Sequence, residues 1–292
     1  AVQGINQRSN HLMIGGITGK DLCMTDNQLR FYEYALAQAS APYLADFAFN
    51  VLKVRRVASI ELANTWGADF HMSFKNTFEE LGGKIVNRSL LQPTQTDFSA
   101  IVSQMAADKA ELLYLVMGDG PATTVGIQAR AGGLGGIPLI GEGAWGPEMF
   151  IDKQSAKALD GTYYQGVAPY LSWSEKHTKL NARLLADTKL NLNNWFWHGY
   201  DSTKIVLWAM QEANSLDPRE VIKAIPMVVE KRKDELMVRP QGTIATKTKG
   251  VYLKVPLSLG KFNAAADFTK ATALEPVADK KYLGTPGWMP EN

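Results

Sequence analysis

Two acids in this chain stand between glycines: Asp119 in Gly118-Asp119-Gly120 and Glu142 in Gly141-Glu142-Gly143. Each follows a short apolar run, Leu112 to Met117 for the first and Ile137-Pro138-Leu139-Ile140 for the second. Glycine on both sides leaves the backbone open to an approaching ligand. A carboxylate shielded from water needs a cation partner, so such an acid suits an ammonium group. The same spacing also describes a solvated turn acid, and spacing alone leaves both readings open. The segment joining the two acids reads as strand, glycine turn, helix opened by Pro121, the glycine-rich turn Gly132 to Gly136, and strand. That is a βαβ unit, with a parallel sheet and a right-handed crossover. In open α/β sheets the ligand crevice lies beyond the carboxyl ends of the strands, which is where both acids are expected.

Other chemistries find no arrangement to carry them. His11, His71, His177 and His198 are scattered without metal-ligand spacing, so neither a metal nor a cofactor is expected. Cys23 is the single cysteine, which excludes an internal disulfide, and it reads as a small buried hydrophobe. The loop Ile17-Thr18-Gly19-Lys20-Asp21 fails as a phosphate cradle: Ile14 stands where the first glycine belongs and Asp21 where Ser or Thr belongs. Gly132-Gly133-Leu134-Gly135-Gly136 follows a helix instead of a strand and so fails the dinucleotide fingerprint. No Gly-x-Ser-x-Gly elbow occurs, and the chain is not expected to be an enzyme. A formal charge of +2 and the absence of a basic stripe interleaved with aromatics argue against nucleic acid.

The elements that must position the two acids follow from periodicity. His11 to Ile14 reads as a strand entering a loop, and Ser40 as the cap of a helix with Pro42 in its first turn. Val57 to Leu62 reads as a strand, followed by a helix with Phe70, Phe74, Phe78 and Leu81 inward and Gly82-Gly83 as its stop. A strand at Ile85-Val86, a helix with Phe98, Ile101, Val102 and Met105 inward, a helix from Glu148 to Leu159 and a strand from Thr162 to Val167 complete the alternation. After Pro169 three helices come in succession: Ser174 to Leu190, Phe196 to Asn214, and Pro218 to Ile225 capped by Asp217. Gly242-Thr243-Ile244 and Val251 to Val255 read as a closing hairpin. The tail from Gly260 is rich in alanine and punctuated by proline.

From Phe31 to Trp145 the chain resembles the type I periplasmic solute-binding proteins of the branched-chain amino acid branch of ABC importers. The residues that carry the resemblance are Trp66-Gly67, Phe78-Glu79-Glu80-Leu81-Gly82-Gly83, Thr96-Asp97-Phe98-Ser99, Gln128-Ala129-Arg130 and, on a late helix, Tyr200-Asp201. The likeness implies an α/β chain in two lobes, with parallel sheets flanked by helices and a three-strand hinge. Residues 1–35 would form part of lobe 1, 36–168 lobe 2, 169–235 the return to lobe 1, and 236–292 a closing hairpin of lobe 2 and a tail. Carried over by residue, Glu142 matches the acid that meets a ligand ammonium, and Trp66 the aromatic that covers the ligand from lobe 2. Gly118 and Asp119 fall on the neighbouring rim. Thr18 is the ligand-binding threonine in one register and lies beyond the pocket in another.

The family's first strands and its serine-bearing loop would precede Ala1, so an additional N-terminal portion is expected. The implied function is capture of a small amino acid or related carboxylate between two lobes. Delivery would be to the membrane permease of an ABC transporter, with a periplasmic location or a lipid-anchored extracellular one. The alternatives are a binder of an aromatic or other organic acid, and a ligand-sensing receptor domain. Glu142 favours a ligand that bears an ammonium.

Overall fold

The computed structural model describes residues 5, 8–15, 26–92, 94–141, 153–166, 174–189, 194–263, 274–276 and 283–286. The chain divides into two compact units. One comprises Ala1–Ala39, Pro169–Leu257 and Thr285–Asn292; the other comprises Ser40–Ala168 and Ser258–Gly284.

The second unit is built on a parallel sheet. Its strands are β3 (Arg56–Leu62), β4 (Lys84–Leu91), β5 (Leu112–Val116), β6 (Leu139–Gly141) and β7 (Tyr163–Gly166), in the order β7-β6-β5-β3-β4. Strand β10 (Pro256–Phe262) continues the sheet antiparallel to β7, and β11 (Leu274–Pro276) and β12 (Leu283–Pro286) both pair with β10. The five residues of β5 are all buried, as the unbroken apolar run predicts for a strand covered on both faces. Helix α1 (Ala37–Asp46) leads into this unit and relaxes into a π-helical turn at Phe47–Val51. The connections between the parallel strands are α2 (Thr65–Glu80), α3 (Ser99–Ala107), α4 (Asp119–Ala131) and α5 (Lys153–Leu159). Phe70, Phe74 and Phe78 make the inward stripe of α2, and Phe74 stacks on Tyr114 of β5 at 4.2 Å. Gly82 takes a φ of +99°, the left-handed stop expected after α2.

The first unit carries a four-stranded sheet, β1-β2-β9-β8. Strands β1 (Met13–Gly15), β2 (Arg30–Tyr32) and β9 (Gly250–Leu253) run parallel, and β8 (Thr243–Thr246) is antiparallel to β9. Helices α6 (Glu175–Thr188), α7 (Asn194–Ala213) and α8 (Pro218–Arg232) belong to the same unit.

Several sequence expectations are corrected. The hairpin β8–β9 was placed with lobe 2, but β9 pairs with β2 through Phe31↔Val251 and Tyr32↔Tyr252, in the sheet of the first unit. All four β9 residues are buried, and the hairpin pattern alone said nothing about which neighbour covers them. Ser40 is interior to α1, not its cap, and Pro42 lies in its middle. Pro121 does not open α4: Gly118 is the N-cap, and the proline stands among the first-turn donors that have no helical acceptor anyway. Helix α8 runs past Pro226 to Arg232 because Val228 and Val229 extend the buried stripe of Val221, Ile222 and Ile225. Continued burial of that stripe outweighs the roughly 3 kcal/mol a proline costs inside a helix.

Candidate functional site

In the second unit the carboxyl ends of three adjacent parallel strands lie level. Glu61 of β3 is in register with Val116 of β5, and Leu115 of β5 with Gly141 of β6. Beyond these ends the chain turns into helices, and the turns carry the predicted residues. Asn64 caps α2 by accepting from the Gly67 N–H at 2.9 Å. Gly67 lies so close to the Leu62 carbonyl that a Cβ there would overlap the oxygen, so the Trp-Gly pair permits an abrupt strand-to-helix turn. Trp66 is thereby held at the strand ends, half-buried, with its ring 5.6 Å from Phe70 in an edge-on contact.

Gly118 opens α4 at the end of β5, and there is open space where its Cβ would stand. Gly120, the second helical residue, is equally open. Such a helix start presents backbone N–H groups and the positive end of the helix dipole, which favours an anionic group. Asp119 is the first residue of that helix. Trp66, Gly118 and Asp119 therefore come to one edge of one sheet. Thr18 and Glu142 lie outside the described residues; β6, which precedes Glu142, ends at that same edge.

Behind this edge is a buried polar cluster that the sequence did not disclose. Glu61 is fully buried; its Oε1 accepts from Arg88 Nε at 3.1 Å and from Nη2 at 2.5 Å, and its Oε2 is 3.0 Å from His71 Nδ1. Ser59 Oγ lies 2.7 Å from the same His71 nitrogen. Serine, histidine and glutamate are thus together, but serine and acid meet one ring nitrogen instead of opposite ones, so the arrangement cannot relay a proton from serine to acid. Burial, then the charges of Arg88 and Lys75, hold the His71 imidazole down to about 4. Burial raises the Glu61 carboxyl, while the hydrogen bond and charge of Arg88 pull it back.

The first unit has its own residues at a carboxyl edge. Glu33 and Tyr34 follow β2, and Tyr34 stacks on Trp195 of α7 with centroids 4.7 Å apart and planes 10° apart. His198, one helical turn on, meets the other side of the cluster at 4.9 Å from Tyr34. Tyr34 is buried, whereas Trp195 remains 40% exposed. Sequence reasoning missed this face. The aromatic density of Tyr32-Glu33-Tyr34 and Trp195-Phe196-Trp197-His198 was a signal, but nothing in the sequence joined the two stretches. Among the described residues, no group of three or more His, Cys, Asp or Glu side chains is placed to hold a metal ion. No helix among them is long and apolar enough to cross a membrane.

A parallel sheet whose strands turn into helices beyond level carboxyl ends defines an open α/β class, and comparison with known sequences gives the family. The family model described as periplasmic binding protein matches residues 1–232, and the chain belongs to that family. Solved structures share the type I fold. The leucine-binding protein LivK of Thermotoga maritima superposes with a TM-score of 0.78 at 17% identity, over 95% of this chain and 75% of that one. A solute-binding protein of an ABC transporter from R. palustris, in complex with benzoate, gives 0.73 at 15% identity, over 98% and 74%. A branched-chain amino acid ABC transporter protein from Thermus thermophilus with bound valine gives 0.74 at 15%, over 95% and 74%. Among curated proteins there is no match.

Proposed function

We propose that this chain is the substrate-binding component of an ABC importer, working in the periplasm and capturing a small amino acid or related carboxylate for a membrane permease. The carrying observation is the shared edge of the second unit, where Trp66 and the uncapped start of α4 at Gly118 lie beyond adjacent strands. The helix start suits a carboxylate, and Trp66 supplies an aromatic cover for an apolar body. Glu142, directly after β6, is the proposed ammonium partner, and Thr18 is a further residue proposed to bind the ligand. The protein acts by binding alone. The Ser59–His71–Glu61 cluster supports this, because it is buried and its geometry does not activate the serine.

A second reading is supported by Trp195, which stacks on buried Tyr34 yet stays 40% exposed and so suits a flat ligand: an aromatic acid lacking an ammonium. The similar R. palustris protein holds benzoate, and the LivK and T. thermophilus proteins are amino acid binders. A thermal-shift panel of leucine, valine, benzoate and 4-hydroxybenzoate separates the readings. A ligand at a hundredfold excess over its Kd stabilises the native state by about 2.7 kcal/mol. Stabilisation by the amino acids alone supports the first reading, stabilisation by the benzoates alone supports the second, and no response to any of the four refutes both.

A further inference from the structure

Helix α8 opens against the usual rule for charge. Asp217 caps it by accepting from the Arg219 N–H at 2.9 Å, and Pro218 is its first residue. Arg219 then stands in the first turn, where the positive end of the helix dipole favours acids, and Lys223 follows one turn on along the same flank. Lys223 has a partner in Glu220 at 2.7 Å, but both groups are exposed and screened by water. Arg219 makes no side-chain hydrogen bond or ion pair among the described residues. Ile222 and Pro226 share that flank, at helical spacing from the two cations.

The flank faces the hairpin β8–β9 and the residues that lead into β2, all within the first unit. Between them is a cleft of about 520 Å³, the size of a small-molecule site, for which about 300–1,000 Å³ is usual. Leu29, Ile222 and Val251 are its buried floor, and Pro226 adds an apolar wall. Its rim carries Arg219, Lys223 and, from the hairpin turn, Lys247. Lys247, like Arg219, has no side-chain partner among the described residues, and no acidic side chain among them lines the cleft. Leu29 precedes β2 and Gly250 opens β9, so the cleft lies where these two parallel strands begin. Tyr34, which follows β2, is at the opposite end of that sheet.

We propose that this cleft is a second small-molecule site, and that it takes a monoanionic amphiphile: a medium-chain carboxylate, with its hydrocarbon body on Leu29, Ile222 and Val251 and its head at the basic rim. Covering the apolar floor favours a hydrocarbon body. Three cations with no acid among the lining residues call for an anionic head. The stems of Lys223 and Lys247 extend the apolar surface while their exposed ammonium groups stay in water. A carboxylate at the rim also offsets the placing of Arg219 at a helix start. A neutral hydrocarbon leaves those cations without a counter-charge, and a short anion leaves the floor uncovered. The site lies in a different unit from Trp66 and Gly118, and the inference holds whichever ligand their edge takes.

Isothermal titration of the full chain with octanoate, octylamine and acetate, at concentrations below micelle formation, tests the assignment. Octanoate is expected to bind. Octylamine has the same body with a cationic head, acetate the same head without the body, and neither is expected to bind. Shortening octanoate to hexanoate should weaken binding about fourfold for each methylene removed. The double variant Arg219→Gln, Lys247→Gln removes two exposed, screened charges and should weaken octanoate about tenfold. That variant leaves the strand ends of the second unit untouched, so the loss assigns octanoate to this cleft and not to the edge at Trp66. Failure of octanoate to bind, equal binding of octylamine or acetate, or full octanoate affinity in the double variant overturns the proposal. Should the variant fail to fold, the comparison of the three ligands on the wild type decides.

Discussion

Trp66 packs on α2 and, on the function proposed above, would also cover a ligand. One side of its ring meets Phe70, while the residue as a whole stays half-buried at the strand ends. An aromatic pair of this kind adds about 0.5–1.5 kcal/mol beyond its burial. Trp66→Ala loses that contact and the burial of the ring as well, so it is expected to lower stability by more than that amount and to weaken every ligand alike, whatever its charge. Calorimetry with an amino acid and with its deaminated analogue measures the second effect, and unchanged affinities for both would leave Trp66 as an anchor of α2 only. Glu142→Gln has a different expected signature. A hydrogen bond to a charged group is worth about 1.5–3 kcal/mol, so amino acid affinity should fall roughly ten- to a hundredfold. The deaminated analogue should be unaffected. Equal weakening of the two ligands, or of neither, removes Glu142 as the ammonium partner.

At the scale of elements, the position of α2 rests on more than its phenylalanine stripe. Glu61 of β3, His71 of α2 and Arg88 of β4 join three neighbouring elements through one buried carboxylate. Removing the cation from a buried pair costs about 3–5 kcal/mol, because the remaining charge has no partner. Arg88 is 42% exposed and water reaches its side, so Arg88→Ala is expected near the lower limit, about 3 kcal/mol. Adding Glu61→Gln to that variant removes the stranded charge and should restore part of the loss. Urea unfolding of the two single variants and the double measures this directly. A double variant no more stable than Arg88→Ala would show that Arg88 acts through packing.

The same scale explains what was legible in the sequence. The alternation β3–α2–β4–α3–β5–α4–β6 could be read because helical stripes such as Phe70, Phe74 and Phe78 and all-buried runs such as Leu112 to Val116 are imposed by burial on one chain segment. Strand β2 was missed because three residues are too few to show a period. Strand β10 was missed although Leu257 and Leu259 alternate with Ser258, since Pro256 and Gly260 bound the alternation closely on both sides. Of the candidate site, the placement of Trp66 and Gly118 at strand ends could be read because glycines mark such ends. The Tyr34–Trp195 face could not, because it joins residues far apart in the chain that only the packing of α7 against the turn after β2 brings together.

For the whole molecule, the buried ionisable groups among the described residues set the shape of stability against pH. Three imidazoles are lowered, chiefly by burial: His71 to about 4, His198 to about 3, and His177 in the same direction. Three carboxyls are raised, chiefly by burial: Glu33 and Asp201 to about 7, and Glu61 in the same direction. A lowered histidine contributes stability that is complete above its unfolded value of 6.5 and is lost as pH falls towards its folded value. A raised carboxyl contributes stability that is complete below its unfolded value and is lost as pH rises through its folded one. Between about 4.5 and 6.5 the unfolded chain holds extra protons on the imidazoles and the folded chain holds extra protons on the carboxyls, so the two slopes oppose each other. Above about 6.5 only the carboxyl slope remains, and stability should decline towards pH 8. Below about 4.5 the imidazole slope remains, and exposed Asp97, lowered by its hydrogen bonds to Ser99, acts in the same direction. The expected profile is therefore a plateau from about pH 4.5 to 6.5 that falls on both sides. Urea midpoints taken at half-unit steps from pH 3.5 to about 9 would trace it. A profile still rising at pH 8 would show that these buried acids are already ionised in the folded protein well below that pH.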